Sequence, residues 1–64
     1  MRNDIPDRRA ETDESQADLA AAVGVTRQTI NAIERERYDP SLDLAFKLAA
    51  HFDCRIEDIF DPDE

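Results

Sequence analysis

One glycine, one cysteine, one histidine, one lysine and no tryptophan occur among the 64 residues, and each scarcity closes off a class of function. A lone Gly24 cannot build the glycine-rich loop that cradles phosphates. A lone Cys54 cannot form an internal disulfide, and the N-terminus lacks the basic-then-apolar layout of a secretory leader, so a cytoplasmic protein is expected. No apolar run approaches the roughly 18 residues of a membrane span, and no membrane partner is expected. His51 has no Ser or Cys nucleophile arrangement to serve, so neither catalysis nor a cofactor is expected. His51 and Cys54, three residues apart, would supply only two of the four ligands of a structural zinc site. They read as an ordinary half-buried histidine and a buried thiol, with no metal.

What is abundant is acid. Ten Asp and six Glu stand against seven Arg and Lys47, a formal net charge of −8. Such a surface suits very high salt, and a halophilic source is expected; net charge bears on solvent and partners, not on fold. The charge is uneven: residues 1–14 carry −2, residues 15–38 are neutral, and residues 39–64 carry −6. With 41% apolar residues, clustered rather than diluted, the chain predicts one compact domain over 1–64. A domain of this size buries only about 60% of its unfolded surface, enough for one core.

The neutral segment has the clearest helical period. Ser15 reads as an N-cap, with Asp18 placed to reciprocate as a capping box. Leu19, Ala20 and Val23 form the apolar stripe of that helix, and Gly24 stops it in the left-handed conformation. Thr26 then caps a second helix, with Ile30 and Ile33 inward and Arg27, Gln28, Thr29, Asn31 and Arg35 on its other faces. Pro40-Ser41 opens a third, whose broad apolar face is Leu42, Ala45, Ala49 and Phe52 with Leu44 and Leu48 alongside. Ile56, Ile59 and Phe60 share one side of a last short helix that Asp61-Pro62 ends. An N-terminal helix from Ile5 to Glu11, capped by Asp4, accommodates Pro6 in its first turn. There is no strand pattern. The expected fold is all-α, a compact five-helix bundle with the two-helix core at about 15–36 and flexible ends at 1–4 and 61–64.

The run from Ser15 to Glu34, SQADLAAAVGVTRQTINAIE, resembles the helix-turn-helix of the phage-repressor-like (Cro/C1, or XRE) family. The likeness continues through Tyr38-Asp39-Pro40-Ser41-Leu42 to Ile59-Phe60 and covers roughly residues 5–60. It is nearest to the short single-domain regulators of that family. Independently, a helix face of Arg, Gln, Thr and Asn has the donors and acceptors that read base edges in the major groove.

The resemblance implies that Gln16 contacts a DNA phosphate and steadies its recognition neighbours, while Arg27, Gln28 and Asn31 face the groove. Arg would clamp guanine, and Gln or Asn adenine, at about 1–3 kcal/mol of discrimination each. Thr29 would meet phosphate or a thymine methyl. Ala32 holds a position that often reads bases, where a methyl group conveys less. Arg35, Arg37 and Tyr38 would follow the backbone. Glu34 is implied to pair with Arg9 rather than to face DNA.

Several residues depart from the family pattern. Arg8 stands in place of a leucine, Asp13-Glu14 in place of a Gly-Leu pair, and Glu36 in place of a glycine after the recognition helix. The first two changes make the N-terminal helix the element most prone to fray, with Ile5 its main anchor. At about 1 M salt the Debye length is about 3 Å, so the acids of residues 39–64 would hardly reach a DNA face. The expected function is a sequence-specific, DNA-binding transcriptional regulator, a repressor acting as a homodimer on a pseudo-palindromic operator of double-stranded DNA. Half-sites would lie about 34 Å apart, with the dimer patch drawn from Phe46, Phe52, Ile59 or Phe60. No small-molecule effector is evident. The alternative is a protein-interaction module, antitoxin-like or an adaptor subunit, whose acidic C-terminal half binds a basic partner.

Overall fold

A computed structural model describes residues 1–61. Five helices are present, α1 (Ile5–Thr12), α2 (Gln16–Val23), α3 (Arg27–Glu34), α4 (Leu42–His51) and α5 (Ile56–Ile59), flanked by two short strands, β1 (Arg2–Asn3) and β2 (Phe60–Asp61). Caps define the helices at their N-termini. The Ser15 hydroxyl accepts from the Asp18 amide while Asp18 accepts from the Ser15 amide, the reciprocal box expected from sequence. Thr26 and Ser41 accept from the amides of Thr29 and Leu44 in the same way.

The C-termini close with equal regularity. Residues 14, 25, 37 and 54 each donate their amide to the carbonyl five residues earlier, at 2.9 to 3.0 Å. That closure needs a left-handed residue immediately before the donor. Gly24 supplies it after α2 (φ 76°), but the other three positions are acids: Asp13 (φ 58°), Glu36 (φ 62°) and Asp53 (φ 56°).

The core gathers Ile5, Leu19, Ile30, Ile33 and Leu48, with Ala20, Val23, Leu44, Ala45, Ala49, Ile59 and Phe60 around them. Most of the apolar stripes expected from periodicity face inward. Leu42 does not: it is 68% exposed in the first turn of α4, as is Phe46 at 59% one turn on.

Two features differ from the sequence reading at the N-terminus. Residues 2 and 3, expected within a flexible end, form an antiparallel ribbon with β2, Arg2 opposite Asp61 and Asn3 opposite Phe60. Asp4 occupies the N-cap position of α1 without capping it; its carboxylate pairs with Arg8 Nε at 2.9 Å, and Asn3 Oδ1 accepts from the Ile5 amide instead. Asn3 Nδ2 also donates to the Ile33 carbonyl at 2.9 Å, tying the ribbon to the end of α3. Of the acidic tail expected at 61–64, Asp61 lies in β2 and residues 62–64 lie outside the described residues. Among the described residues no helix is long and apolar enough to cross a membrane.

Candidate nucleic-acid interface

Helices α2 and α3 pack on each other through Leu19, Val23, Ile30 and Ile33, which leaves the opposite side of α3 for solvent. Arg27 and Gln28 project from its exposed first turn, and Arg35 and Arg37 stand exposed just beyond its last turn. Thr29 is half-buried, its hydroxyl 3.1 Å from that of Thr26. A shallow depression lined by Thr26, Gln28, Thr29, Ala32 and Tyr38 runs along this side. The ridge is free of carboxylates until Glu36, so three guanidiniums and two amides dominate its chemistry.

Beneath the ridge lies a charged network that reaches from α1 to α3. Arg9 grips Glu34 with two bonds, Nε to Oε2 at 2.7 Å and Nη2 to Oε1 at 3.1 Å. The pair implied by family resemblance is therefore formed, with the Glu34 side chain only 7% exposed and that of Arg9 19%. Hydrogen bonding to Glu34 pushes the Arg9 guanidinium further above its already high range. Gln16 Nε2 donates to Glu34 Oε1 at 2.9 Å, and Asn31 Nδ2 lies 3.5 Å from Gln16 Oε1. Two of the predicted site residues, Gln16 and Asn31, are thus linked to each other and to the Arg9–Glu34 pair.

A second link escaped the sequence reading. His51 Nε2, on α4, meets Glu14 Oε2 at 2.7 Å, and the Glu14 carbonyl accepts from Arg9 Nη1 at 3.0 Å. Glu14 stands where family members carry an apolar residue, and a contact across 37 positions leaves no local signal. The Thr12 hydroxyl, followed by His51, holds the Glu14 carboxyl below the usual carboxylate range. Cys54 packs against the core, and burial pushes its thiol pKa up, which keeps it protonated. Among the described residues no cluster of three or more His, Cys, Asp or Glu is placed to hold a metal ion.

The helix-turn-helix family matches residues 8–59. The chain is 55% identical over 60 residues to an HTH-type transcriptional regulator of Methanocaldococcus jannaschii, covering 94% of this chain and 91% of that one. It is 48% identical over 64 residues to one of Archaeoglobus fulgidus, covering 100% and 90%. Among solved structures, the restriction-modification controller protein C.AhdI from Aeromonas hydrophila superposes with a TM-score of 0.77 at 29% identity, over 86% of this chain and 83% of that one. Capped helices, Gly24 turn, exposed α3 ridge and these likenesses agree: the chain belongs to the Cro/C1-type (XRE) helix-turn-helix family, a family of DNA-binding transcriptional regulators and not of enzymes.

Proposed function

We propose that the protein represses transcription in the cytoplasm by binding a pseudo-palindromic operator as a homodimer, with α3 of each subunit in the major groove. The observation that carries this reading is the α3 edge of exposed Arg27 and Gln28 and half-buried Asn31, backed by a part-buried network in which Arg9 and Glu34 are paired. Arg27 clamps guanine O6 and N7, and Gln28 and Asn31 address adenine N6 and N7. Thr29 borders the depression beside Ala32, where a thymine methyl or a phosphate fits its half-buried side chain. Gln16, Arg35 and Arg37 bond phosphates and set the register without conveying sequence. Glu36 repels phosphate and stays at the rim.

One subunit reads half an operator, and the exposed Leu42 and Phe46 on α4 provide apolar surface for a second copy. Of the four residues considered for that role from sequence, Ile59 and Phe60 are committed to the core and Phe52 is half-buried, which leaves Phe46.

Selection from randomised duplex oligonucleotides, in dilute buffer and in molar KCl, tests the reading. A symmetric motif is expected in both. Arg27→Ala should erase preference at one base pair, whereas Arg37→Ala should weaken all sequences alike. No enriched motif, together with a stoichiometric basic protein on co-purification, would replace this reading with that of an interaction module acting through the −6 of residues 39–64.

A further inference from the structure

Exposed apolar surface in the acidic half gathers on α4 and the start of α5. Leu42, Asp43, Phe46, Lys47 and Ala50 recur along the solvent side of α4, opposite its buried face. Beside them lies a groove of about 310 Å3 lined by Phe46, Ala49, Cys54, Arg55, Ile56 and Glu57. That is the lower end of ligand-sized pockets, roughly 300–1,000 Å3, and suits one large side chain. Charge sets this patch apart. Residues 39–61 hold six acids and only two bases, Lys47 and Arg55, and both bases lie here beside Asp43 and Glu57. The patch is therefore neutral, and the remaining four acids of that stretch have no base among them. Lys47 pairs with Asp43 at 3.2 Å, whereas among the described residues no ion pair engages Arg55 or Glu57.

We propose that this groove is a self-complementary socket for a second copy of the chain: Phe46 of each copy seats beside Ala49, Cys54 and Ile56 of the other, and Arg55 pairs with Glu57 across the two-fold axis. This deepens the homodimer reading and rests on it. Two copies of net charge −8 repel over most approaches, and least where each presents a neutral apolar face carrying both signs. A basic partner would be drawn to the uncompensated acids instead. In an isologous contact every pairing occurs twice, so each unpaired Arg55 and Glu57 finds a mate. The ten residues of α4 extend roughly 15 Å, which places the contact at the small end of specific interfaces, below about 1,200 Å2 in total. Such a dimer is weak, and its population follows the abundance of the chain.

The test is sedimentation velocity without DNA, from micromolar to millimolar chain, on the wild type, Arg55→Glu, Glu57→Arg and the double variant. The wild type should pass from monomer to dimer across that range. Each single variant sets like charges against each other across the axis and should raise the dimer Kd by about tenfold, the scale of a close interfacial charge pair. The double variant restores the pair in the reverse sense and should return Kd to within about threefold of wild type. Glu57→Arg makes the chain less acidic, so general repulsion alone would tighten its dimer, the opposite of what pairing predicts. Both positions are exposed, and circular dichroism should show native helical content in all variants. Maleimide labelling of Cys54 should slow as the wild-type dimer accumulates, because the socket covers it. A dimer that the double variant fails to restore, or in which Cys54 labels at one rate throughout, overturns the socket and leaves the homodimer reading to another face. A wild type that stays monomeric at millimolar concentration overturns both, while motif selection tests α3 separately.

Discussion

Glu36 has the backbone of a glycine without being one. At φ 62° its Cβ crowds the chain, a conformation that disfavours L-residues by roughly 1–2 kcal/mol. Glu36→Gly should stabilise the fold by about 1 kcal/mol after the extra flexibility of the unfolded chain is set against that strain, as a shift in urea midpoint. The converse holds at Gly24, φ 76°, where an added Cβ would meet nothing within 4 Å. Gly24→Ala therefore isolates backbone strain and should destabilise by about 1 kcal/mol. Arg9→Met leaves the Glu34 charge with Gln16 alone in a site that is nearly closed to water. A loss of roughly 3–5 kcal/mol is expected, much of the total stability of so small a domain. Glu14 gives the fold a pH dependence. Its folded pKa is depressed, so the stabilisation is fully present above the ordinary carboxylate range and disappears as pH falls through the folded value. Thermal melts of wild type and Glu14→Gln should differ at neutral pH and converge in strong acid.

Among the elements, legibility follows the range of the interactions that make each one. Ser15 with Asp18, Thr26 with Thr29 and Gly24 are contacts within one turn, so α2, α3 and the bend between them could be read from sequence. The apolar periods of α4 and α5 also placed most core residues. Leu42 broke the pattern because it lies one turn before exposed Phe46, on the solvent side of a helix whose buried face is Leu44, Ala45, Leu48 and Ala49. The β1–β2 ribbon could not be read: two residues show no alternation, and its partners lie 57 to 59 positions apart. It also adds contacts to α1, the helix that Arg8 and Glu14 mark as the one most prone to fray. Those residues remove apolar contacts, yet Arg8 pairs with Asp4, Glu14 with His51, and the Asp4 amide bonds the Ile59 carbonyl at 3.1 Å. Asn3→Ala removes both the Ile5 cap and the Ile33 bond and should cost about 1–2 kcal/mol. Hydrogen exchange should locate that loss at the start of α1. The proposed roles of Arg27, Gln28 and Asn31 were suggested by residue type and family pattern, whereas the contacts that link Gln16 and Asn31 to Glu34 required the packed structure.

At the scale of the whole molecule, charge is segregated by task. The neutral segment 15–38 carries the proposed reading edge, and the acids concentrate in residues 39–64. Concentrated KCl should weaken the phosphate contacts proposed for Arg35 and Arg37 while leaving base preference in place, so specificity ratios should survive better than affinities. For oligomeric state, Phe46→Asp replaces the most exposed aromatic side chain by a charge and should yield monomers in analytical ultracentrifugation, against the dimer proposed for the wild type. The three acids at left-handed positions have a collective consequence. Asp13, Glu36 and Asp53 each lie just past the carboxyl end of a helix, where the aligned peptide dipoles already present negative potential. In dilute buffer that potential opposes the charges at three of the helix exits, and dissolved salt screens all three together, so the folded chain should gain stability as ionic strength rises.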